Sequence, residues 1–422
     1  MKFKINVKEF IRGLEPAVNI ATKNVNSEFE TSYHIILHAK NDHILTMAHG
    51  GFAAIISPIS TENVSSKELK YECISEGKVI VNAIKLIGTL KAFLYEQEVI
   101  VDDSTGQLMV SLSNVKEDDE QYQTIPLVNI EEKPIPVADT YEKSITVNKE
   151  IFVDGLKRVE FAVGFEESKP YFECIMFIAT PNKLRFASGI GARFAVRDAE
   201  GIFEEIKGTT QILFPKNNIS NIINVLDNAP VQNITIKESI NKENTPDQIV
   251  IRFGENTLLL LGLDTSIKYY DMDKILKYNY PNKISTELSD WNYIMGGINA
   301  TFDEDMKREN EVHNTNVSIN SKIGKLLVET SSIMKAKRKI DIKEIVINED
   351  NNPYFRCNTV YLSEMANKEG KKGTIYVNFK DQTKADKEDE KIPPILVEYP
   401  EIINDAKSIK EKFYMFFSIS KR

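Results

Sequence analysis

The sequence predicts an α+β fold in which a unit of two helices and several antiparallel strands occurs three times. Two observations carry this. Six segments place apolar residues three and four apart, as amphipathic helices do, and stretches of alternating polarity lie between them. The helix starts also fall into three pairs. First members recur about every 140 residues, and each second member follows its first by roughly 65–75. A helix pair laid on one face of an antiparallel sheet buries the apolar stripe of both layers.

The first helix is expected over Val7–Ala21, with Val7, Phe10, Leu14 and Val18 on one face and Pro16 positioned to bend or split it. The second, Asn82–Leu94, aligns Ala83, Leu86, Leu90 and Leu94. The third, Asn148–Val163, aligns Phe152, Leu156, Val159 and Val163, and the fourth, Lys216–Leu226, aligns Ile219, Ile222, Ile223 and Leu226. A fifth starts at Ser289, a good N-cap, and carries Ile294, Ile298 and Phe302. The sixth, Asn358–Glu369, is closed by Gly370. Strands are expected at Ser32–Ala39, His43–Ala48, Gln107–Leu112, Lys183–Ala187, Asn233–Glu238, Gln248–Phe253, Asn316–Asn320, Thr374–Phe379 and Tyr414–Ile419. The pattern breaks at Glu131–Glu142 and at Tyr269–Lys283, which divides the chain into domains at 1–138, 143–268 and 282–422.

Composition bounds the function. The 422 residues are 42% hydrophobic and 27% charged, enough apolar material for real cores. No window has the roughly 18 uncharged apolar residues of a membrane span, so no membrane partner is expected. The opening MKFKINVKEF turns charged before an h-region forms, and no signal peptide is expected. Cys73, Cys174 and Cys357 lie far apart, which fits a reducing, cytoplasmic setting rather than a disulfide scaffold. A net charge of −9 argues against a surface that coats nucleic acid everywhere, but allows one basic face among acidic ones.

Catalytic motifs are missing. The chain has no GxxxxGK[ST], and Gly189-Ile190-Gly191 does not extend to GxGxxG. His34 and His38 share a strand face without a third ligand, so no metal is expected there. Carboxylate runs such as Glu117–Glu120 and Asp303–Asp305 read as solvated turns. The expectation is a binding protein that is not an enzyme and needs no cofactor.

Four stretches carry a family resemblance. They are the opening MKFKINVKEFIRGL, the run EFAVGFEESKPYFECIMFIATPNKLRFASGIGARFAV, the segment ILFPKNNISNIINVL and the ending FYMFFSIS. Together they resemble the bacterial DNA polymerase III β subunit, the sliding clamp, in a divergent form of the kind a phage or plasmid carries. Gly189-Ile190-Gly191-Ala192-Arg193 stands where the family has Thr-Asp-Gly-His-Arg, and Phe417-Ser418-Ile419-Ser420-Lys421 replaces Met-Pro-Met-Arg-Leu.

The resemblance implies the DNA-clamp fold. It further implies a head-to-tail homodimer of three-domain chains that rings double-stranded DNA without reading its sequence. Lys8, Arg12, Lys23, Lys85, Lys91, Arg158, Lys169, Tyr171, Lys216 and Lys368 are then the DNA-facing candidates. Asn218, Asn221 and Asn224 give the fourth helix a polar, uncharged face. Polymerase and clamp loader are expected to dock short peptides on Phe172, Gly191, Arg193, Phe194, Leu276, Tyr278, Met415, Phe416, Phe417 and Ile419. Ring closure is expected at Tyr122 against Thr301 and Phe302, although Phe302 serves equally well as the last core position of its helix. Two other readings stay open: a clamp-like decoy that no longer encircles DNA, and an enzyme whose site residues converge only in space.

Overall fold

The computed structural model describes residues 1–23, 33–50, 53–59, 71–114, 121–129, 141, 143–164, 170–190, 193–239, 248–261, 269, 271–299, 314–320, 323–330, 337–348, 353–358, 373–380, 382, 394–404 and 408–417. The chain folds as two compact units, and neither is one continuous stretch. The first comprises Met1–Asp154 with Phe214–Ser266, and the second Gly155–Leu213 with Ile267–Arg422.

Each unit holds one large and one small antiparallel sheet. In the first unit the large sheet runs Lys143–Asn148, Asn233–Ser239, Gln248–Phe253, Asn256–Leu261, Ala53–Ile59, Ile44–Gly50, His34–Ala39, Gly77–Asn82. Its centre joins strands about 200 residues apart: Thr257 pairs with Ile56 and Leu260 with Ala53. A polar chain fastens that seam. Thr46 Oγ1 donates to the Ser57 carbonyl (2.7 Å), the Ser57 hydroxyl donates to Asn256 Oδ1, and Asn256 Nδ2 donates to the Phe253 carbonyl (3.2 Å). The small sheet runs Tyr71–Ser75, Lys2–Asn6, Glu98–Asp102, Gln107–Leu112, Tyr122–Pro126. In the second unit the large sheet runs Thr210–Pro215, Cys174–Thr180, Lys183–Ile190, Arg193–Glu200, Ile409–Phe417, Ile395–Glu398, Thr374–Phe379, Asn282–Glu287, Glu344–Val346, and Ile402–Asn404 pairs on the side of Ile409–Phe417. Its small sheet runs Lys337–Asp341, Lys325–Thr330, Asn314–Asn320, Tyr354–Asn358.

Six α-helices are described: α1 Val7–Lys23, α2 Ala83–Leu90, α3 Lys149–Val159, α4 Lys216–Asp227, α5 Met272–Leu276 and α6 Leu288–Asn299. Pro16 lies inside α1 without ending it. The buried stripe of α1 passes through Ala17, Ile20 and Ala21, and Val18 is only half-buried. The buried positions 7, 10, 14, 17 and 21 follow one another at three- and four-residue steps, and a three-residue step after Leu14 selects Ala17 rather than Val18. Asn82 caps α2 by accepting from Lys85 N (3.0 Å), but the helix stops at Leu90, and Leu94 is 68% exposed. Ala92 N and Phe93 N bond three residues back, to Thr89 O and Leu90 O, and this tightened turn closes the helix early. Helix α3 follows its expected face, with Phe152, Leu156, Val159 and Val163 buried and a 3₁₀ turn, Glu160–Ala162, finishing it. Helix α6 starts at Leu288, one residue before the expected cap Ser289, and buries Leu288, Trp291, Ile294 and Met295. The stretch Tyr269–Lys283, expected as linker alone, contains α5 and the start of a strand. The sixth expected helix, beyond Asn358, lies outside the described residues.

Helix α1 packs on strands Ile44–Gly50 and Ala53–Ile59. Its closest approach is at Gly13, where an added Cβ would sit 2.6 Å from Ile59 Cγ2. Ile59 is fully buried and β-branched, so it has nowhere to turn. Gly88 on α2 has nothing within 4 Å of the same position. Two glycine-to-alanine changes should therefore act with opposite signs in denaturant melts. Gly88→Ala gains helix propensity and stabilises by about 0.5–1 kcal/mol. Gly13→Ala gains the same propensity but overpacks the interface, and destabilises by about 1–3 kcal/mol.

Candidate functional site

The second unit brings three of the expected peptide-site residues, Phe172, Phe194 and Phe416, together on one sheet face. In the register of strands Lys183–Ile190, Arg193–Glu200 and Ile409–Phe417, Gly189 opposes Phe194, and Phe194 opposes Phe416. Their side chains meet: the Phe194 ring lies 6.4 Å from Phe172 and 5.9 Å from Phe416. A Cβ on Gly189 would fall 2.1 Å from the Phe194 ring, so this close approach requires glycine. Phe172 and Phe194 are buried and form the floor, while Phe416 is half-buried.

Strand alternation sends Met415 to the opposite face from Phe416. There it is buried against Tyr399, whose hydroxyl lies 3.9 Å from Met415 Sδ. The run YMFF thus has a buried face at Met415 and a half-buried face at Tyr414 and Phe416. Arg193 also points to the second face, its guanidinium 6.0 Å from the centre of the Phe161 ring. That face is closed by α3 and the turn after it: Ser188 Oγ donates to the Val159 carbonyl, and a Cβ at Gly155 would strike the Phe186 ring.

The first face has a different cover. Arg185 opposes Asp198 and bonds it in bidentate fashion, Nε to Oδ1 and Nη2 to Oδ2, both at 2.6 Å. Its remaining Nη1 reaches Asp273 Oδ1 on α5 (2.7 Å). Burial alone lowers the Arg185 pKa, but the bonds to Asp198 and Asp273 outweigh it and the net shift is upward. The bond from Arg185 in turn holds the Asp273 carboxyl below its ordinary range. A carboxylate depressed in this way contributes stability that is full above its unfolded pKa and is lost as pH falls through the folded value. Past α5, Tyr278 (42% exposed) stacks edge-on to Tyr280 at 5.1 Å. The phenol of Tyr280 is raised first by burial, then by Tyr278 and Glu398. Glu398 opposes Tyr414, whose phenol is likewise raised by burial and then by Asp198 and Glu398. Residues 273–280 therefore run along the face that bears Tyr414 and Phe416. Leu276 is half-buried in that segment. The side chain of Phe417, and residues Gly191 and Ile419, lie outside the described residues. The sequence reading missed Arg185, Asp198 and Asp273; an ion triad spread over 88 positions has no spacing signature.

The helices carry the DNA-facing candidates. Lys8, Arg12, Lys85, Lys91 and Lys216 are exposed, and Arg158 is half-buried at the end of α3. Between α1 and the end of α4 opens a cleft of about 370 Å³, lined by Arg12, Asn19, Asn224 and Asn228 among others. Asn218 and Asn221 are buried at 1% and 2%, so they do not form the expected polar face. They are buried together with Ile219 and Ile222 on a helix that packs against α1, and its solvent side is Lys216, Asn217, Ser220 and Asp227. Lys169, Lys368, Thr301 and Phe302, and the side chains of Lys23 and Tyr171, lie outside the described residues. Tyr122 is 58% exposed on the edge strand of the first unit's small sheet. Among the described residues, no helix is long and apolar enough to cross a membrane, and no cluster of three His, Cys, Asp or Glu is placed to hold a metal ion.

No family model matches the chain, and no curated protein sequence matches it. Solved structures do. The DNA polymerase III β subunit of Pseudomonas aeruginosa superposes with a TM-score of 0.77 at 13% identity, covering 100% of both chains. The DNA polymerase sliding clamp of Bacillus subtilis gives 0.75 at 14%, and the β subunit from the DNA polymerase of Streptococcus pyogenes 0.74 at 14%, again over 100% of both chains. The chain has the DNA-clamp fold.

The aromatic stack yields an ordering of mutants. Phe194→Ala empties the centre of a buried cluster and should cost about 3–5 kcal/mol in chemical denaturation. Phe416→Ala, at a half-buried position, should cost clearly less. Equal costs would contradict this packing.

Proposed function

We propose that the chain is a sliding clamp: a non-catalytic processivity factor whose head-to-tail homodimer encircles double-stranded DNA and tethers a polymerase and a clamp loader through short peptides. The observation that carries the reading is the fold, shared over the full length with DNA polymerase β subunits and sliding clamps. The basic helix faces support it. Lys8, Arg12, Lys85, Lys91 and Lys216 are exposed on α1, α2 and α4 or at their ends, and contacts to phosphates from such side chains are sequence-independent and weak enough to slide. Arg158, Lys23, Lys169, Tyr171 and Lys368 join that set. The acidic surplus then belongs to the outer surface, where it aids solubility.

In this reading the chain has three domains, 1–138, 143–268 and 282–422. The ring closes where the edge strand bearing Tyr122 meets the partner protomer near Thr301 and Phe302. An open edge strand invites such pairing, and a closed ring removes the edge. The peptide groove lies over Phe172, Phe194 and Phe416, with Leu276 and Tyr278 as its wall. It suits an apolar and aromatic ligand of the Gln-Leu-x-Leu-Phe type, its preference altered by Gly191, Arg193 and the Phe417–Ile419 ending. The protein works in the cytoplasm and needs no cofactor.

Retention on DNA tests encirclement. With a clamp loader present, the protein should stay on circular duplex and run off the same DNA once linearised. Equal loss from both forms would leave only a clamp-like decoy. Reversing Lys85 and Lys216 to Glu should reduce the log–log salt slope of retention by about one for each contact removed. Tyr122→Asp should give folded monomers in light scattering at micromolar concentration; a persistent dimer would remove this edge from the interface.

A further inference from the structure

We propose that the Arg185–Asp273 ion pair is a latch that holds the segment Asp271–Tyr280 against the Phe194–Phe416 face and thereby sets the wall of the peptide groove. The proposal rests on the peptide-binding reading for its consequence, though not for the latch itself.

The geometry separates two roles within one guanidinium. Nε and Nη2 are used by Asp198, the cross-strand neighbour, and satisfy the strand pair by themselves. Nη1 is left over for Asp273, which belongs to a different layer. The arginine is rigid because it is 6% exposed and doubly bonded, so it offers a fixed donor rather than a waving one.

What it holds has little stability of its own. Helix α5 is five residues long, far below the length at which a helix persists alone. Asp271 caps it by accepting from Lys274 N (3.4 Å), and Met272 is its one buried residue. Beyond Tyr280 the chain is held by strand Asn282–Glu287. At the other end the single apolar plug Met272 leaves the helix able to pivot, and the ion pair one residue later supplies a second fixed point there. Two fixed points define an orientation. The tyrosines that follow, Tyr278 and Tyr280, then lie toward Glu398 and Tyr414, on the face that continues to Phe416. Asp198 and Phe194 are four residues apart on one strand, about 13 Å. The latch therefore lies beside the aromatic floor without touching it, and acts as a positioning contact.

Asp273→Asn, with Asp273→Glu as the conservative comparison, tests this in the full-length protein. Hydrogen exchange at Lys277 N and Tyr278 N, which donate to Asp273 O and Ile275 O, reads the segment directly. In Asp273→Asn their protection should drop about tenfold while that of Arg193–Glu200 and the thermal midpoint stay unchanged, and Glu should recover part of it. Fluorescence anisotropy with a labelled Gln-Leu-x-Leu-Phe peptide should show affinity weakened about fivefold by Asn and less by Glu. Native protection at Lys277 and Tyr278 in Asp273→Asn would overturn the latch, as would a Glu variant no better than Asn. If the wild-type protein binds no peptide, the exchange data still decide the latch, and the failure belongs to the peptide reading. Loss of protection with unchanged peptide affinity would keep the latch but sever it from the groove.

Discussion

The structure depends on one kind of contact: antiparallel pairing between strands far apart in the chain. In the first unit Asn256–Leu261 pairs with Ala53–Ile59; in the second, Ile409–Phe417 pairs with Arg193–Glu200. Each pairing fuses two short sheets into one large sheet. A short sheet left alone would expose two edges and bury little apolar area. Once fused, the inner edges vanish and the helices have a broad surface on which to lie. The second pairing also brings Phe194 beside Phe416, so the candidate groove is a consequence of sheet fusion rather than a feature added to it.

Local structure was largely legible in the sequence, and long-range structure was not. The stripe Phe152, Leu156, Val159, Val163 named its helix because each position recurs at helical spacing and packs on one sheet. Gln107–Leu112, Gln248–Phe253 and Thr374–Phe379 were bounded by turn residues and match their strands to the residue. Errors arose where a local rule met a competing local bond, as at Leu94, where the three-residue bonds after Leu90 end the helix. Asn218 and Asn221 misled for another reason: their chemistry suggested solvent, while the helix phase set by Ile219 and Ile222 turned them inward. Of the candidate site, the aromatic residues were found through the family pattern. Arg185, Asp198 and Asp273 were not, since nothing in a linear sequence marks which of its 53 basic residues will oppose an aspartate across a strand pair.

Charge is distributed in the same way as structure. The ion pairs of the second unit's large sheet sit toward one end of its fused strands. Arg185 bonds Asp198, Arg197 lies 2.9 Å from Glu411, and Lys412 lies 2.8 Å from Glu200. Arg197 and Asp198 are almost fully buried, where an unmatched charge would cost several kcal/mol, so these pairs specify register as well as contribute stability. A slip of one residue between Arg193–Glu200 and Ile409–Phe417 would break the Arg197–Glu411 and Lys412–Glu200 pairs and send Phe194 and Phe416 to opposite faces.

In the peptide-binding reading, the division of that strand pair lets one sheet be both rigid and receptive. Binding surfaces need an anchor that does not move and a patch that is not already satisfied. On Arg193–Glu200 and Ile409–Phe417 these demands fall at opposite ends. At one end Asp198, Glu200, Glu411 and Lys412 are tied into ion pairs; at the other Phe194 is buried beneath the half-buried ring of Phe416. Helix α3 and the turn after it close one side of the sheet, so any ligand must approach from the side that bears Tyr414 and Phe416. Segment Asp271–Tyr280 lies on that side, tied at the charged end and reaching along the strands past Tyr414. The segment is fixed at both ends, by Asp273 at the charged end and by strand Asn282–Glu287 just beyond Tyr280, so its tyrosines are held in place while the sheet register beneath stays fixed.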